Sequence, residues 1–193
     1  MAETTDLLKE EVNRALEVLK QGGVILYPTD TIWGIGCDAT NRNAVDRVYK
    51  IKQRDDSKAL IVLLDEEGKL QRYVRHVPEI AWNLIEVTNK PLTIVYSDVL
   101  NLAPNLMASD GSAAIRIVRH PFCQELIRRF NRPIVSTSAN ISGQAFSGAF
   151  TDISNEIKTQ VDYIVNLHRD SPSGPPSSVI KLEDGGRFNI LRP

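Results

Sequence analysis

The chain has 193 residues, is 42% hydrophobic, and sets 23 Lys and Arg against 24 Asp and Glu, for a formal net charge of −1. That is enough length and apolar content for one sizeable core, read as a single domain over residues 1–193. The charge balance excludes recognition of nucleic acid or anionic membrane by bulk electrostatics and leaves any such contact to a local patch.

The acidic N-terminus, MAETTDLLKEEV, is not a signal peptide. Leu8, Val12, Ala15, Leu16 and Leu19 recur at helical spacing behind Thr5-Asp6, and Gly22-Gly23 supplies the stop. The apolar run Val24 to Tyr27 reads as a buried strand, and YPTDTIWG after it reads as a turn, because Pro fixes φ while Asp and Thr cap the chain locally. Ala44, Val45, Val48 and Ile51 define a second helix from about Asn43, and Ala59 to Leu64 follows as a strand. This longest apolar run is far too short to cross a bilayer, so a soluble protein without a membrane partner is expected. Pro78 stands where a helix begins, with Ile80, Ala81, Leu84 and Ile85 on its apolar side.

Further strands are predicted at Leu92 to Tyr96, Ala113 to Val118, Ile134 to Ser136, Tyr163 to Val165, Val179 to Leu182 and Phe188 to Leu191. Helices fit at Pro121 to Phe130 and Asp152 to Lys158. Strands and helices mix without a fixed repeat, which predicts an α/β fold: an open, twisted sheet covered by helices. Adjacent strands near the C-terminus make that sheet mixed. The segment RDSPSGPPSS has linker composition and reads as a surface loop.

Chemistry-bearing residues gather at predicted strand and helix ends. Lys52, Arg54 and Lys58 in IKQRDDSK sit near one helix terminus, where cations favour the macrodipole and are often simply solvated. Facing a hydroxyl-rich turn, the same cluster makes a phosphate grip. Arg116 lies inside SAAIRIV between apolar neighbours, so its guanidinium needs an anion, either a core carboxylate or a bound one. PIVSTSANISG supplies Ser136, Thr137, Ser138, Asn140 and Ser142, five hydrogen-bonding side chains in seven positions, more than one cap requires. Ser177 and Ser178 precede a strand, and Arg192 lies almost at the chain end.

Several chemistries find no support. Cys37 and Cys123 stand outside any CxxC pair, which suggests neither a zinc site nor a disulfide framework and suits a reducing cytoplasm. There is no GxxxxGK[ST], no GxGxxG after a strand and no GxSxG, and His76, His120 and His168 lack metal-ligand spacing. A site of Arg, Lys, Ser, Thr and Asn instead suits anionic ligands and charge stabilisation.

The blocks YPTDTIWGIGCDA, the KxR of Lys52 and Arg54, AAIRIV, STSANISG, PSSV and the terminal LRP, in this order, resemble the YrdC-type threonylcarbamoyl-adenylate synthases from about Gly22 to Pro193. The resemblance implies a YrdC-like fold with a concave central cavity, in the short form without the extra C-terminal domain of longer relatives. It implies a nucleotidyltransferase that joins L-threonine, bicarbonate and ATP into threonylcarbamoyl-AMP, with Mg²⁺ carried by ATP. The product serves threonylcarbamoyl modification of tRNA adenosine beside the anticodon. The implied partners are therefore the tRNA threonylcarbamoyl-transfer machinery and, weakly, tRNA itself.

Position by position, the resemblance implies Lys52 and Arg54 as catalytic residues that, with Lys58, hold the triphosphate. Ser112, Ser138, Asn140, Phe146 and Arg192 fall at ATP-binding positions, and Thr31, Leu63, Arg116, Ser136 and Ser177 at L-threonine-binding positions. No resident metal is implied. Trp33 stands where tyrosine is usual, Lys90 begins a KPLT where GPLT is common, and SSV replaces STV at Ser177 to Val179. Two other readings remain: an RNA-binding module using the same cations, with strongly salt-dependent affinity, and a YciO-type relative with a different reaction. Such relatives tend to lack the KxR and SAN blocks, and this chain has both.

Overall fold

The computed structural model describes residues 2–53, 60–183 and 187–193. The strands are β1 (Ile25–Tyr27), β2 (Gly34–Gly36), β3 (Ile61–Leu64), β4 (Leu92–Tyr96), β5 (Ala113–Ile117), β6 (Ile134–Ser138), β7 (Tyr163–Ile164), β8 (Ser178–Glu183) and β9 (Arg187–Arg192). They form one mixed, nine-stranded sheet in the order β7-β1-β2-β6-β3-β5-β4-β8-β9. The helices are α1 (Ala2–Lys20), α2 (Arg42–Ile51), α3 (Glu79–Val87), α4 (Pro121–Phe130) and α5 (Asn155–Lys158), with short 3-10 helices at Glu67–Arg72, Pro104–Leu106 and Phe150–Asp152.

Side-chain alternation along the strands divides the core in two. Ile25, Tyr27, Leu63 and Ile134 point to one face and are covered by Val12, Leu16 and Leu19 of α1 and Phe122, Leu126 and Ile127 of α4. Leu26, Val62, Leu64, Ile115 and Val135 point to the other, where Val45, Val48 and Ile51 of α2 pack. Helix ends follow local chemistry. The Asn41 side chain accepts from the amides of Asn43 and Ala44 to start α2, Pro121 opens α4, and Asn131 closes α4 in the left-handed region at φ 53.

Two departures from the sequence reading have physical causes. The helix expected over Asp152 to Lys158 is a 3-10 turn followed by α5, because the Ser154 hydroxyl accepts from the Ile157 amide and restarts the helix there. Strand β2 went unpredicted because GIG has no strand-like composition. Gly36 is sterically required: a Cβ there would lie 2.1 Å from the Val135 carbonyl oxygen and 2.7 Å from the Tyr27 ring. Tyr27 thus lies flat across β2 and donates to the Val135 carbonyl at 2.8 Å.

Strands β1 and β2 pair antiparallel, Tyr27 against Gly34, so YPTDTIWG is the connection of a hairpin. The register Ser136–Ile61–Ala114–Val95 and the neighbouring Leu63–Arg116–Thr93–Val179 place these side chains in two adjacent rows on the α1/α4 face. The helices cover Leu63, whereas Arg116, Ala114, Val95 and Val179 floor a cavity on the same face.

Candidate functional site

The cavity, about 470 Å³, is walled by the hairpin loop through Thr31 and Ile32, by the segment from Ser136 to Phe146, and by Ser177 and Arg192. Pieces distant in sequence meet because the central strands end around it.

Arg116 is 3% exposed, so its charge must be matched locally. Its Nη2 lies 3.2 Å from Asp30 Oδ1, an ion-pair contact outside hydrogen-bond alignment, and its Nη1 donates to Thr31 Oγ1 at 3.0 Å. Its Nε is buried without a hydrogen-bond partner among the described residues. The other Asp30 oxygen accepts from the Arg119 amide at 3.0 Å. Arg116 is therefore both ion-paired to a core carboxylate and part of the cavity floor. The sequence reading left Asp30 without a role; the signal for it was the buried arginine's need of an anion.

Proton counting fixes what Thr31 can offer. Thr29 Oγ1 gives its one proton to the Ile32 carbonyl at 2.7 Å, so in the 2.9 Å contact between the two hydroxyls Thr31 is the donor. With its proton committed and one lone pair taken by Arg116, Thr31 presents an acceptor to the cavity.

Arg192, opposite Val179 at the sheet edge, donates from Nε to the Ser177 carbonyl at 2.9 Å and from Nη2 to Ser177 Oγ at 3.2 Å. Partial burial, and then the like charge of Arg116, lower its pKa from the ordinary arginine value. Among the described residues, two guanidiniums against the carboxylate of Asp30 leave this end of the cavity net positive, a setting for anionic groups.

Lys52 departs from expectation. Instead of standing at an exposed helix end it caps α2 and is 1% exposed. Its ammonium donates to the carbonyls of Ser138 and of Asn140, the latter at 2.7 Å, and the Ser142 amide returns a bond to the Lys52 carbonyl at 2.8 Å. The turn after β6 folds over the helix end, and its carbonyl oxygens solvate the cation in place of water. Asn140 completes the turn by donating to the Gln144 carbonyl at 2.7 Å. Lys52 thus lies behind the cavity wall rather than in it.

Thr31, Arg116, Ser136, Ser138, Asn140, Phe146, Ser177 and Arg192 are brought together around one space. Leu63 is not among the lining residues: it is fully buried beneath α1 and α4, two positions along β3 from Ile61, which does line it. Ser112 also lies off the cavity, where its hydroxyl donates to Asp110 at 2.5 Å. Lys181 at 2.8 Å and that hydroxyl hold the Asp110 carboxyl well below the usual carboxylate range. Arg54 and Lys58 lie outside the described residues. Trp33 is buried against Phe150, ring centroids 4.7 Å apart, so the aromatic at this position serves the core. The RDSPSGPPSS loop is tied down: the Gly174 amide donates to the Thr31 carbonyl at 2.8 Å and Ser173 Oγ to the Ser147 carbonyl at 2.8 Å. Among the described residues no group of three or more His, Cys, Asp or Glu could hold a metal ion, and no helix is long and apolar enough to cross a membrane.

The Sua5/YciO/YrdC family, described as telomere recombination, matches residues 17–193. The chain belongs to this family. The threonylcarbamoyl-AMP synthase of Pseudoalteromonas translucida is 33% identical over 181 residues, covering 92% of this chain and 95% of that one. The P. abyssi Sua5 structure complexed with L-threonine superposes with a TM-score of 0.81 at 25% identity, over 94% of this chain and 53% of that one. This chain thus spans about half the length of that Sua5. E. coli YciO superposes with a TM-score of 0.81 at 26% identity, over 94% and 87% of the two chains. Family membership accounts for the mixed sheet and for the order of the motif blocks around the cavity.

Proposed function

We propose that this protein is a threonylcarbamoyl-AMP synthase, converting L-threonine, bicarbonate and ATP into threonylcarbamoyl-AMP, pyrophosphate and water. The observation that carries the reading is the convergence of Arg116, Thr31 and Ser177 with Arg192, Ser138 and Asn140 on one net-positive cavity, in a chain whose relatives bear the synthase name.

In this reading Arg116 pairs with the threonine carboxylate, and Thr31, Ser136 and Ser177 orient the amino acid. The threonine amine, as the free base, attacks carbon dioxide formed by dehydration of bicarbonate, and loses a proton to give a carbamate. A carbamate oxygen then attacks the α-phosphorus of ATP, and pyrophosphate leaves with the bond it breaks. Such a displacement needs positioning and neutralised charge rather than a covalent enzyme intermediate. Arg192, Arg54 and Lys58, with the Mg²⁺ that ATP brings, supply the charge. Lys52 orders the turn that presents Ser138 and Asn140 to the nucleotide, and Phe146 stacks beside it. The product's mixed anhydride is a carbamoyl donor, so its consumer is a transferase acting on tRNA adenosine.

A YciO-type activity is the second reading, because the fold matches YciO nearly as well as it matches Sua5. The deciding experiment is pyrophosphate release from Mg-ATP and bicarbonate with L-threonine, L-serine or no amino acid. Threonine-dependent release with a threonylcarbamoyl-AMP mass supports the synthase; a folded, ATP-binding protein that consumes no nucleotide points to the YciO-type reading.

A further inference from the structure

Thr93 lies on β4, in register with Arg116 on one side and Val179 on the other, and is 0% exposed. It does not line the cavity, and the resemblance assigned it no role. Its Oγ1 is 2.8 Å from Ser177 Oγ, a contact in which geometry alone leaves the donor open.

The surrounding bonds close that question. Arg192 can only donate, so the Ser177 oxygen already accepts one bond from Nη2. The Thr93 hydroxyl has no acceptor other than Ser177 Oγ among the described residues. Were Ser177 the donor, the Thr93 proton would be buried unsatisfied, at a cost of about 1–3 kcal/mol. Thr93 therefore donates, Ser177 accepts twice, and the Ser177 proton is left for the cavity that its side chain lines. The result is a polarised pair of walls: Thr31 presents an acceptor and Ser177 a donor.

We propose that Thr93 is a positioning residue that holds Ser177 as a hydrogen-bond donor to an anionic oxygen, carboxylate or carbamate, of the bound amino acid. The inference rests on the proposed reading of the cavity as a threonine site. Val at position 93 keeps the shape and removes the proton; Ser keeps the proton and removes a methyl.

The test is calorimetric titration with L-threonine, and separately with a non-hydrolysable ATP analogue, of the wild type, T93V, T93S, S177A and T93V/S177A. T93V should weaken L-threonine binding about tenfold, equivalent to about 1.4 kcal/mol, with T93S within about twofold of wild type and the analogue's affinity unchanged in both. The double variant should bind like S177A alone, since Thr93 acts only through that hydroxyl. T93A reads the same interaction if T93V fails to fold. Unchanged L-threonine binding by T93V, or losses that add in the double variant, overturn this inference alone. A folded wild-type protein that binds no L-threonine overturns both this inference and the proposed function.

Discussion

Arg116 and Asp30, 86 positions apart in the numbering, meet at 3.2 Å beneath the hairpin loop. The pair ties the loop's conformation to a cation of the cavity floor, since Asp30 also accepts from the Arg119 amide where the chain leaves β5. Asp30→Asn keeps the shape and removes the counter-charge of a buried guanidinium. The expected loss is on the order of 3 kcal/mol of stability, read as a lower urea midpoint, and at least about a tenfold fall in threonine-dependent pyrophosphate release. A variant as stable and active as wild type would refute this role for the pair.

Arg116 itself separates the two substrates. Arg116→Ala is expected to raise the KM for L-threonine about a hundredfold, as loss of a charge-assisted contact, while the KM for ATP changes little. Steady-state kinetics with each substrate varied in turn checks this. The reverse pattern would reassign the residue to the nucleotide.

The burial of Lys52 makes a prediction that an exposed phosphate grip does not. Lys52→Ala takes the ammonium's bond from the Asn140 carbonyl and one of two from the Ser138 carbonyl, which still accepts from the Asn140 amide, so stability should fall by about 2 kcal/mol along with turnover. Thermal melting beside the pyrophosphate assay distinguishes the roles: an inactive variant with an unchanged melting temperature would return Lys52 to pure phosphate binding.

Gly36→Ala would drive a Cβ into the Val135 carbonyl and the Tyr27 ring, and no rotamer relieves a backbone clash. Strand β2 would have to move away from β6, at a cost of about 2 kcal/mol or more. Gly68→Ala, where a Cβ meets nothing within 4 Å, is the control and should be within about 0.5 kcal/mol of wild type.

His120 sets a pH dependence. Burial, and then the facing His168, lower its pKa from 6.5 to about 4, opposed by Asp30. The unfolded chain therefore binds the His120 proton first: its contribution to stability is full above about pH 6.5 and is lost as pH falls through about 4. The ceiling is about 3 kcal/mol, reduced by residual solvent access. Urea midpoints between pH 7.5 and about 4 should fall more steeply for wild type than for His120→Gln; parallel curves would remove His120 as the source.

Much of this fold was legible locally because the deciding signals are short-range. Proline fixed the start of α4, apolar periodicity marked α1 and α2, and the runs at β4 and β5 carried their own strand composition. The residue types of the site were equally visible, since hydroxyls and cations clustered at element ends. The sequence could not show β2, a three-residue strand with a glycine at each end, where Tyr27 and β6 leave no room for a side chain at Gly36. Nor could it tell Leu63 from Ile61, which share a strand and a face and differ only in whether helices lie above them. The burial of Lys52, the partner of Arg116 and the donor sense of the Thr93–Ser177 contact were likewise decided by tertiary structure. Each depends on which groups, distant in the chain, are close enough to exchange a proton or balance a charge once water has been excluded.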